Sequence, residues 1–228
     1  PTATCQNITV YLDGAGNATI TGTDIDNGST DNCGVSSLTP SVTSFTCADI
    51  GANSVTLTVA DANANTSTCV STVTVSDTIR PTVVCQNITV YLDATGNVSI
   101  TAGDVDNGTT DNCGIASLGL NQTSFTCAEI GVNNVTLTAE DVNGNIDSCI
   151  ATVTVADTTS PTAVCQNITV YLDGAGNATI TGTDIDNGST DNCGVSSLIP
   201  STTSFTCADV GPNNVTLTVA DANANTST

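Results

Sequence analysis

Aspartate side chains with neighbouring asparagines recur along the chain in patterns that could bind a hard cation. Asp24–Gly34 reads DIDNGSTDNCG and Asp61–Asn65 reads DANAN, and both stretches return further along. Ca²⁺ takes about six to eight oxygen ligands from carboxylates, asparagine side chains and backbone carbonyls. The sequence therefore predicts calcium ligands at Asp24, Asp26, Asp31, Asp61, Asp77, Asp104, Asp106, Asp111, Asp141, Asn143, Asp157, Asp184, Asp186, Asp191 and Asp221.

A second interpretation of these stretches is that Asp and Asn are simply the residues that turns favour. It accounts well for DGAGN at Asp13–Asn17. It accounts less well for Asp24, Asp26 and Asp31, because three carboxylates in one short loop repel each other unless something neutralises them. The DxDxDG order and the final Glu of an EF-hand are missing, so the predicted site is of another type.

The charge of the chain excludes several classes of function. Twenty-two acidic residues stand against one Lys or Arg and no His, for a formal net charge of −21. Partners recognised through phosphate contacts, nucleic acid above all, are therefore not expected. The usual catalytic bases and electrophiles are almost absent, so we predict that the chain is not an enzyme and has no catalytic residues. No apolar run is long enough for a transmembrane helix, and no membrane insertion is predicted for this segment.

The acidic stretches are positioned by a repeat of eighty residues. CQNITVYLD begins without change at Cys5, Cys85 and Cys165, and DNCG returns at the same interval. This period is longer than that of solenoid units and matches a small sandwich domain. The predicted domains are 1–80, 81–160 and 161–228, the third ending before its last strand, with further copies of the repeat on both sides.

Each repeat is predicted to be all-β. Apolar residues alternate with polar ones, as at Val55, Leu57 and Val59, and turn sequences separate these runs. Six strands are clear, and a seventh short strand between Asp24 and Thr46 would make the first and last strands parallel, as in an immunoglobulin-like β-sandwich. We therefore predict tandem sandwiches of about seven strands, with the acidic loops at the amino-terminal end of each, beside the preceding linker.

Four cysteines per repeat, in a small domain with few aromatic residues, indicate a disulfide framework from an oxidising compartment. A zinc site is the alternative, but there is no CxxC pair and no His. Parallel first and last strands would place Cys5 beside Cys69. Four cysteines allow three connectivities that sequence cannot separate; the preferred pairs are Cys5–Cys69, Cys33–Cys47, Cys85–Cys149, Cys113–Cys127 and Cys193–Cys207, with Cys165 bonded to a cysteine beyond residue 228.

Several motifs together resemble a known family. PTxxCQNITV, DNCG, GxNxVTLTV, the loop DVNGN at Asp141–Asn145 and the following Cys before TVTV are similar to hyalin-type (HYR) repeats, more narrowly to the tandem HYR-like, immunoglobulin-fold modules of large surface proteins in Bacteroidota. DANAN in the other repeats departs from the usual glycine in that loop. The resemblance implies an extracellular or cell-surface adhesive or structural array. It also gives Asp77-Thr78-Ile79 the form of a short O-glycosylation motif, whereas the Asn-x-Ser/Thr triplets would be N-glycan sites only in other organisms.

The sequence thus predicts an extracellular fibre, stalk or adhesin stem whose repeats are stiffened by Ca²⁺. Its expected partners are further copies of the repeat and neighbouring chains in a fibre, with possible surface glycans. One alternative is a module that binds glycan or protein, although Tyr11, Tyr91 and Tyr171 offer little for an aromatic platform. Another is a filament subunit joined by donor-strand exchange, in which a second chain supplies the last strand of the third repeat.

Overall fold

The computed structural model describes all residues from Pro1 to Thr228. Each of the first two repeats contains six strands and one short helix. The first repeat has β1 (Ile8–Tyr11), β2 (Asn17–Thr19), α1 (Gly22–Ile25), β3 (Val35–Pro40), β4 (Ser44–Thr46), β5 (Gly51–Asp61) and β6 (Thr66–Ser76). The second has β7 (Ile88–Tyr91), β8 (Asn97–Ser99), α2 (Ala102–Val105), β9 (Ile115–Leu120), β10 (Ser124–Thr126), β11 (Gly131–Asp141) and β12 (Ile146–Ala156). A single 3-10 turn follows the fourth strand, at Cys47–Asp49 and Cys127–Glu129.

The larger sheet of the first repeat has the strand order β1-β6-β5-β3, and β2 pairs with β4 in a second, smaller sheet. β1 runs parallel to β6, which confirms the predicted relation of the first and last strands. The bridges of Thr2 to Thr30 and of Cys5 to Asp26 add a further short pairing at the predicted position of the seventh strand. The fold is therefore the predicted all-β, immunoglobulin-like sandwich.

The core of the first repeat lies between these sheets. Val55, Leu57 and Val59 alternate along β5 and are fully buried, as the period of two requires. Phe45 on β4 and Ile25 at the end of α1 pack against them from the other side. Phe45 and these aliphatic side chains thus form one apolar layer, whereas Tyr11 is 62% exposed.

The second repeat has the corresponding sheet order β7-β12-β11-β9. The third repeat contains β13 (Asn177–Thr179), α3 (Gly182–Ile185), β14 (Val195–Pro200), β15 (Ser204–Thr206), a 3-10 turn at Cys207–Asp209, β16 (Leu217–Asp221) and β17 (Thr226–Ser227). Its larger sheet has only three strands, in the order β14-β16-β17. Residues 168–171, the counterpart of β1, form no strand there. No helix in the structure has the length and apolar character needed to span a membrane.

The chain divides into two compact units that do not coincide with the repeats. The first contains Pro1–Cys85 with Asp106–Leu120 and Thr136–Cys149, and so combines the first repeat with loops of the second. The second contains Gln86–Val105, Asn121–Val135 and Ile150–Thr228. Each unit therefore includes one complete contact region between successive repeats, which we call a junction.

The disulfides differ in part from the predicted set. Cys5 is bonded to Cys69 and Cys85 to Cys149, as predicted. The predicted pairs Cys33–Cys47, Cys113–Cys127 and Cys193–Cys207 are wrong. Cys47 is bonded instead to Cys113, and Cys127 to Cys193, so each of these bonds crosses a junction. Cys33, Cys165 and Cys207 are free.

The pairing within one repeat fails because the two cysteines lie at opposite ends of the same sandwich. Cys33 follows Thr30, which pairs with Thr2 before β1. Cys47 follows β4, whose last residue pairs with Asn17 after β1. The segment from Thr2 to Leu12, which contains β1 and runs between these two ends, would cover roughly 30 Å if extended. A disulfide requires Cα atoms within about 7 Å.

Candidate calcium site at the repeat junction

Three aspartates from separate parts of the first unit meet at its junction. Asp77 follows β6, Asp111 lies in the loop before β9, and Asp141 is the last residue of β11. One carboxylate oxygen from each lies within 4.8 Å of the other two. Asp77 is 7% exposed and Asp141 is 1% exposed, whereas Asp111 is partly buried, so most of the cluster is shielded from bulk water.

Local turns fix the orientation of Asp141. Its Oδ1 accepts hydrogen bonds of 2.8 Å from the backbone N–H groups of Asn143 and Asn145, and its Oδ2 accepts one of 2.7 Å from the Asn145 side chain. Burial raises the pKa of Asp141, but these hydrogen bonds together lower it below its ordinary value. The carboxylate is therefore ionised at neutral pH.

Asp77 and Asp111 are held by contacts of the same kind. The backbone N–H groups of Cys113 and Gly114 donate to Asp111 Oδ1 over 2.8 and 3.1 Å. Asp77 accepts from the side chains of Asn112 and Asn143, over 3.2 and 2.8 Å. The linker carboxylate is thus bound to both loops of the following repeat, which sets the geometry of the cluster.

Some oxygen atoms of the junction have no hydrogen-bond partner although they are buried. They include Asp111 Oδ2 and Asn112 Oδ1 in the first unit. A buried polar atom left unpaired costs free energy, and a buried charge costs more. A bound cation would satisfy these atoms and neutralise the three carboxylates, and oxygen-only ligands of this type suit Ca²⁺. The residues present therefore fit the predicted ion.

The second unit repeats the arrangement with Asp157, Asp191 and Asp221, again within 4.8 Å. Asp157 is 6% exposed and its Oδ2 has no partner, as is also true of Asp191 Oδ2 and Asn192 Oδ1. The Asn192 side chain donates to Asp157 Oδ1 over 3.2 Å. Two sites of one design are therefore present, one in each unit.

In the first repeat, Asp31 and Asp61 hold the positions of Asp111 and Asp141. There the backbone N–H of Cys33 donates to Asp31 Oδ1 over 2.8 Å, and the Asn65 side chain donates to Asp61 Oδ2 over 2.7 Å.

The other predicted ligands do not join the clusters. Asp104 caps α2, accepting hydrogen bonds of 2.6 and 2.7 Å from the N–H and hydroxyl of Thr101, and Asp24 and Asp184 do the same in their repeats. The backbone of Thr109 donates to Asp106, and Ser29 and Ser189 donate to the equivalent carboxylates Asp26 and Asp186. These side chains already have partners, since they terminate short local turns.

Sequence reasoning missed the asparagine of the DNCG motif. Asn112 donates to Asp13 O over 3.2 Å as well as to Asp77, and Asn192 makes the same contact with Asp93 O over 3.0 Å. These bonds connect adjacent repeats. The available signal is the position of Asn112 between a predicted ligand, Asp111, and a cysteine, but an asparagine there is equally typical of a turn.

No protein-family model matches the chain, and no curated protein matches it. Among solved structures it is similar to protocadherin gamma B7 extracellular cadherin domains 1–4, at 11% identity and a TM-score of 0.37, over 98% of this chain and 73% of that one. A protocadherin gamma B4 extracellular domain has 14% identity and a TM-score of 0.36, over 100% and 47%. A titin I-band fragment has 9% identity and a TM-score of 0.38, over 97% and 93%. The fold assignment itself rests on the strand order described above.

Proposed function

We propose that the chain is part of an extracellular structural array, a stalk or adhesin stem, in which Ca²⁺ binds at each junction and stiffens it. The observation that carries the proposal is the carboxylate cluster whose members come from the linker after one repeat and from two separate loops of the next repeat. A cation bound there contacts all three segments at once. Bending the junction would then break metal ligation, so calcium should convert a hinged chain into a stiffer one.

The disulfides support a mechanical role. Cys47–Cys113 and Cys127–Cys193 tie each repeat to the next beside the acidic clusters. A covalent bond limits how far the junction can open, while the metal would hold it closed. Such double attachment suits a chain that transmits force or maintains a fixed spacing.

The proposal extends to location and family. Four disulfides in a chain of this size are typical of an oxidising, extracellular compartment. The motifs shared with HYR-like repeats of bacterial surface proteins agree with an adhesive or structural role and with partners that are further copies of the repeat. Catalysis is not part of the proposal, since the chain has no His and a single Lys or Arg.

Calcium titration tests this function directly. Isothermal titration of the whole chain with Ca²⁺ should give two bound ions, one for each buried cluster. Calcium at about a hundredfold excess over its Kd should stabilise the binding-competent state by about 2.7 kcal/mol per site, and small-angle scattering should show a narrower distribution of conformations than in chelator. The calcium proposal would be wrong if Ca²⁺ bound only weakly and without a defined stoichiometry, and if melting temperature and scattering were the same with Ca²⁺ and with chelator.

A further inference from the structure

The two acidic clusters contain corresponding aspartates, but their hydrogen bonds differ at the linker carboxylate. Asp77 in the first unit and Asp157 in the second are almost equally buried, at 7% and 6% exposure. Asp77 Oδ2 accepts a hydrogen bond of 2.8 Å from the Asn143 side chain. Asp157 Oδ2 is buried and has no partner. The linker carboxylate is therefore paired at both oxygens in one cluster and keeps a free oxygen in the other.

The two loops that supply the other carboxylates are also bonded more closely in the first cluster. The backbone N–H of Gly114 donates to Asp111 Oδ1 over 3.1 Å, and that of Val142 donates to the Gly114 carbonyl over 3.2 Å. In the second cluster, the donor to Asp191 Oδ1 is the Cys193 N–H alone, over 2.8 Å. Donors from the protein thus occupy more of the first cluster than of the second.

The difference at the linker carboxylate accompanies a difference in loop sequence. Asp61–Asn65 and Asp221–Asn225 both read DANAN, and both close through the same three hydrogen bonds to their first aspartate. The side chain of the central asparagine donates no hydrogen bond in either loop. Asp141–Asn145 reads DVNGN instead, and here the central asparagine, Asn143, donates to the linker. The free oxygen of the second cluster therefore goes with the DANAN loop.

This hydrogen bond opposes cation binding. The amide N–H groups of Asn143 are donors that carry partial positive charge, and they face the oxygen that a cation would use. An ion that binds to Asp77 Oδ2 must displace this donor and loses the hydrogen bond. No donor has to leave Asp157 Oδ2, and an ion bound there relieves the cost of a buried, unpaired carboxylate oxygen.

We propose that Asn143 sets the calcium affinity of the first cluster by competing with the ion for Asp77, so that the second cluster fills first. The inference rests on the proposed function, in which Ca²⁺ binds at both junctions. One hydrogen bond to a charged group corresponds to a Kd about tenfold higher at the first cluster. The two junctions therefore stiffen at different calcium concentrations.

The affinity order is tested in the whole chain with one cluster disabled at a time. Asp221→Asn leaves the first cluster and Asp141→Asn leaves the second. In isothermal titration with Ca²⁺, each variant should bind one ion, and Asp141→Asn should bind it about tenfold more tightly. Equal Kd values, or tighter binding by the first cluster, would overturn the inference and leave the proposed function intact. No saturable binding in wild type or in either variant would overturn both.

The role of Asn143 is tested by Asn143→Ala in the Asp221→Asn background. Its Kd for Ca²⁺ should fall about tenfold, because Asp77 Oδ2 loses the competing donor. An unchanged Kd would contradict the inference, as would a higher Kd, which is the result expected if Asn143 were a ligand through its carbonyl oxygen.

Asn223→Ala in the Asp141→Asn background is the matched control. It should leave the Kd of the second cluster unchanged, because the Asn223 side chain donates no hydrogen bond to Asp157. A similar change in Kd for both alanine variants would show that the effect does not come from the bond between Asn143 and Asp77. Melting curves in chelator verify that each variant is folded before titration.

Discussion

Two halves of one acidic loop behave differently in this protein. In Asp104–Gly114, the carboxylate of Asp104 caps α2. It accepts hydrogen bonds from the backbone N–H and the hydroxyl of Thr101, three residues earlier in the chain. Asp111, at the other end of the loop, keeps a buried oxygen without a partner and faces Asp77 and Asp141. The same residue type therefore has a local structural role in one place and a predicted ligand role in the other. The two positions differ because the fold places further carboxylates, those of Asp77 and Asp141, beside Asp111.

The largest expected effect comes from cutting the covalent bond of the first junction. Cys47→Ser with Cys113→Ser removes a cross-link with a sequence separation of 66 residues, for which chain entropy predicts a loss of about 4 kcal/mol. Calcium affinity should fall at this junction as well, because Asp111 is two residues from Cys113. Urea unfolding in chelator measures the first effect, and calcium titration measures the second.

The matched variant Cys127→Ser with Cys193→Ser should weaken the other site instead. A calcium isotherm unchanged by either pair of substitutions would show that the bond does not position the carboxylates.

A direct test of the comparison replaces one carboxylate in each region. Asp141→Asn should reduce the number of bound calcium ions from two to one, with loss of about 2.7 kcal/mol of calcium-dependent stabilisation at a hundredfold excess over Kd. Asp104→Asn is the control and should still bind two ions, because its carboxylate belongs to the helix cap. Equal losses of calcium in both variants would mean that the two halves of the loop are not distinct.

The direct contact between repeats is tested by Asn112→Ala. The variant loses hydrogen bonds of 3.2 Å to Asp13 O and to Asp77 Oδ1, and it should be less stable in chelator by about 1–3 kcal/mol. Asn32→Ala is the matched control, since this counterpart is exposed in the first repeat, and it should change the urea midpoint very little. Similar destabilisation by both would argue against a special role of the junction asparagine.

The smallest effect is the pH dependence of the helix cap. Backbone and side-chain hydrogen bonds from Thr101 lower the pKa of Asp104. The folded pKa is therefore below the unfolded value of about 3.9, so the contribution of the cap is complete above about pH 4 and is lost as the pH falls through the folded pKa. In chelator, the difference in urea midpoint between wild type and Asp104→Asn should shrink on acidification. If the difference in urea midpoint between wild type and Asp104→Asn grew below pH 4, Asp104 would not be acting as an ionised cap of α2.

Much of the fold was accessible from the sequence because its signals are local. The alternation of Val55, Leu57 and Val59 predicts a half-buried strand whatever lies around it, and the repeat multiplies that signal. Cys5–Cys69 followed from the parallel relation of the first and last strands. The acidic composition likewise indicated a cation site near the linkers, although it did not identify which carboxylates converge.

The sequence by itself determined the repeat, the sandwich and the chemical type of the ligands. Only the tertiary structure decided the partners at the junction. In a tandem array, the cysteine of DNCG has the same neighbours in every repeat, so sequence cannot tell whether Cys47 bonds within its own repeat or to the next. The choice depends on distance: Cys33 lies at the far end of the same sandwich, whereas folding brings Cys113 of the next repeat to a Cα separation of 5.4 Å from Cys47.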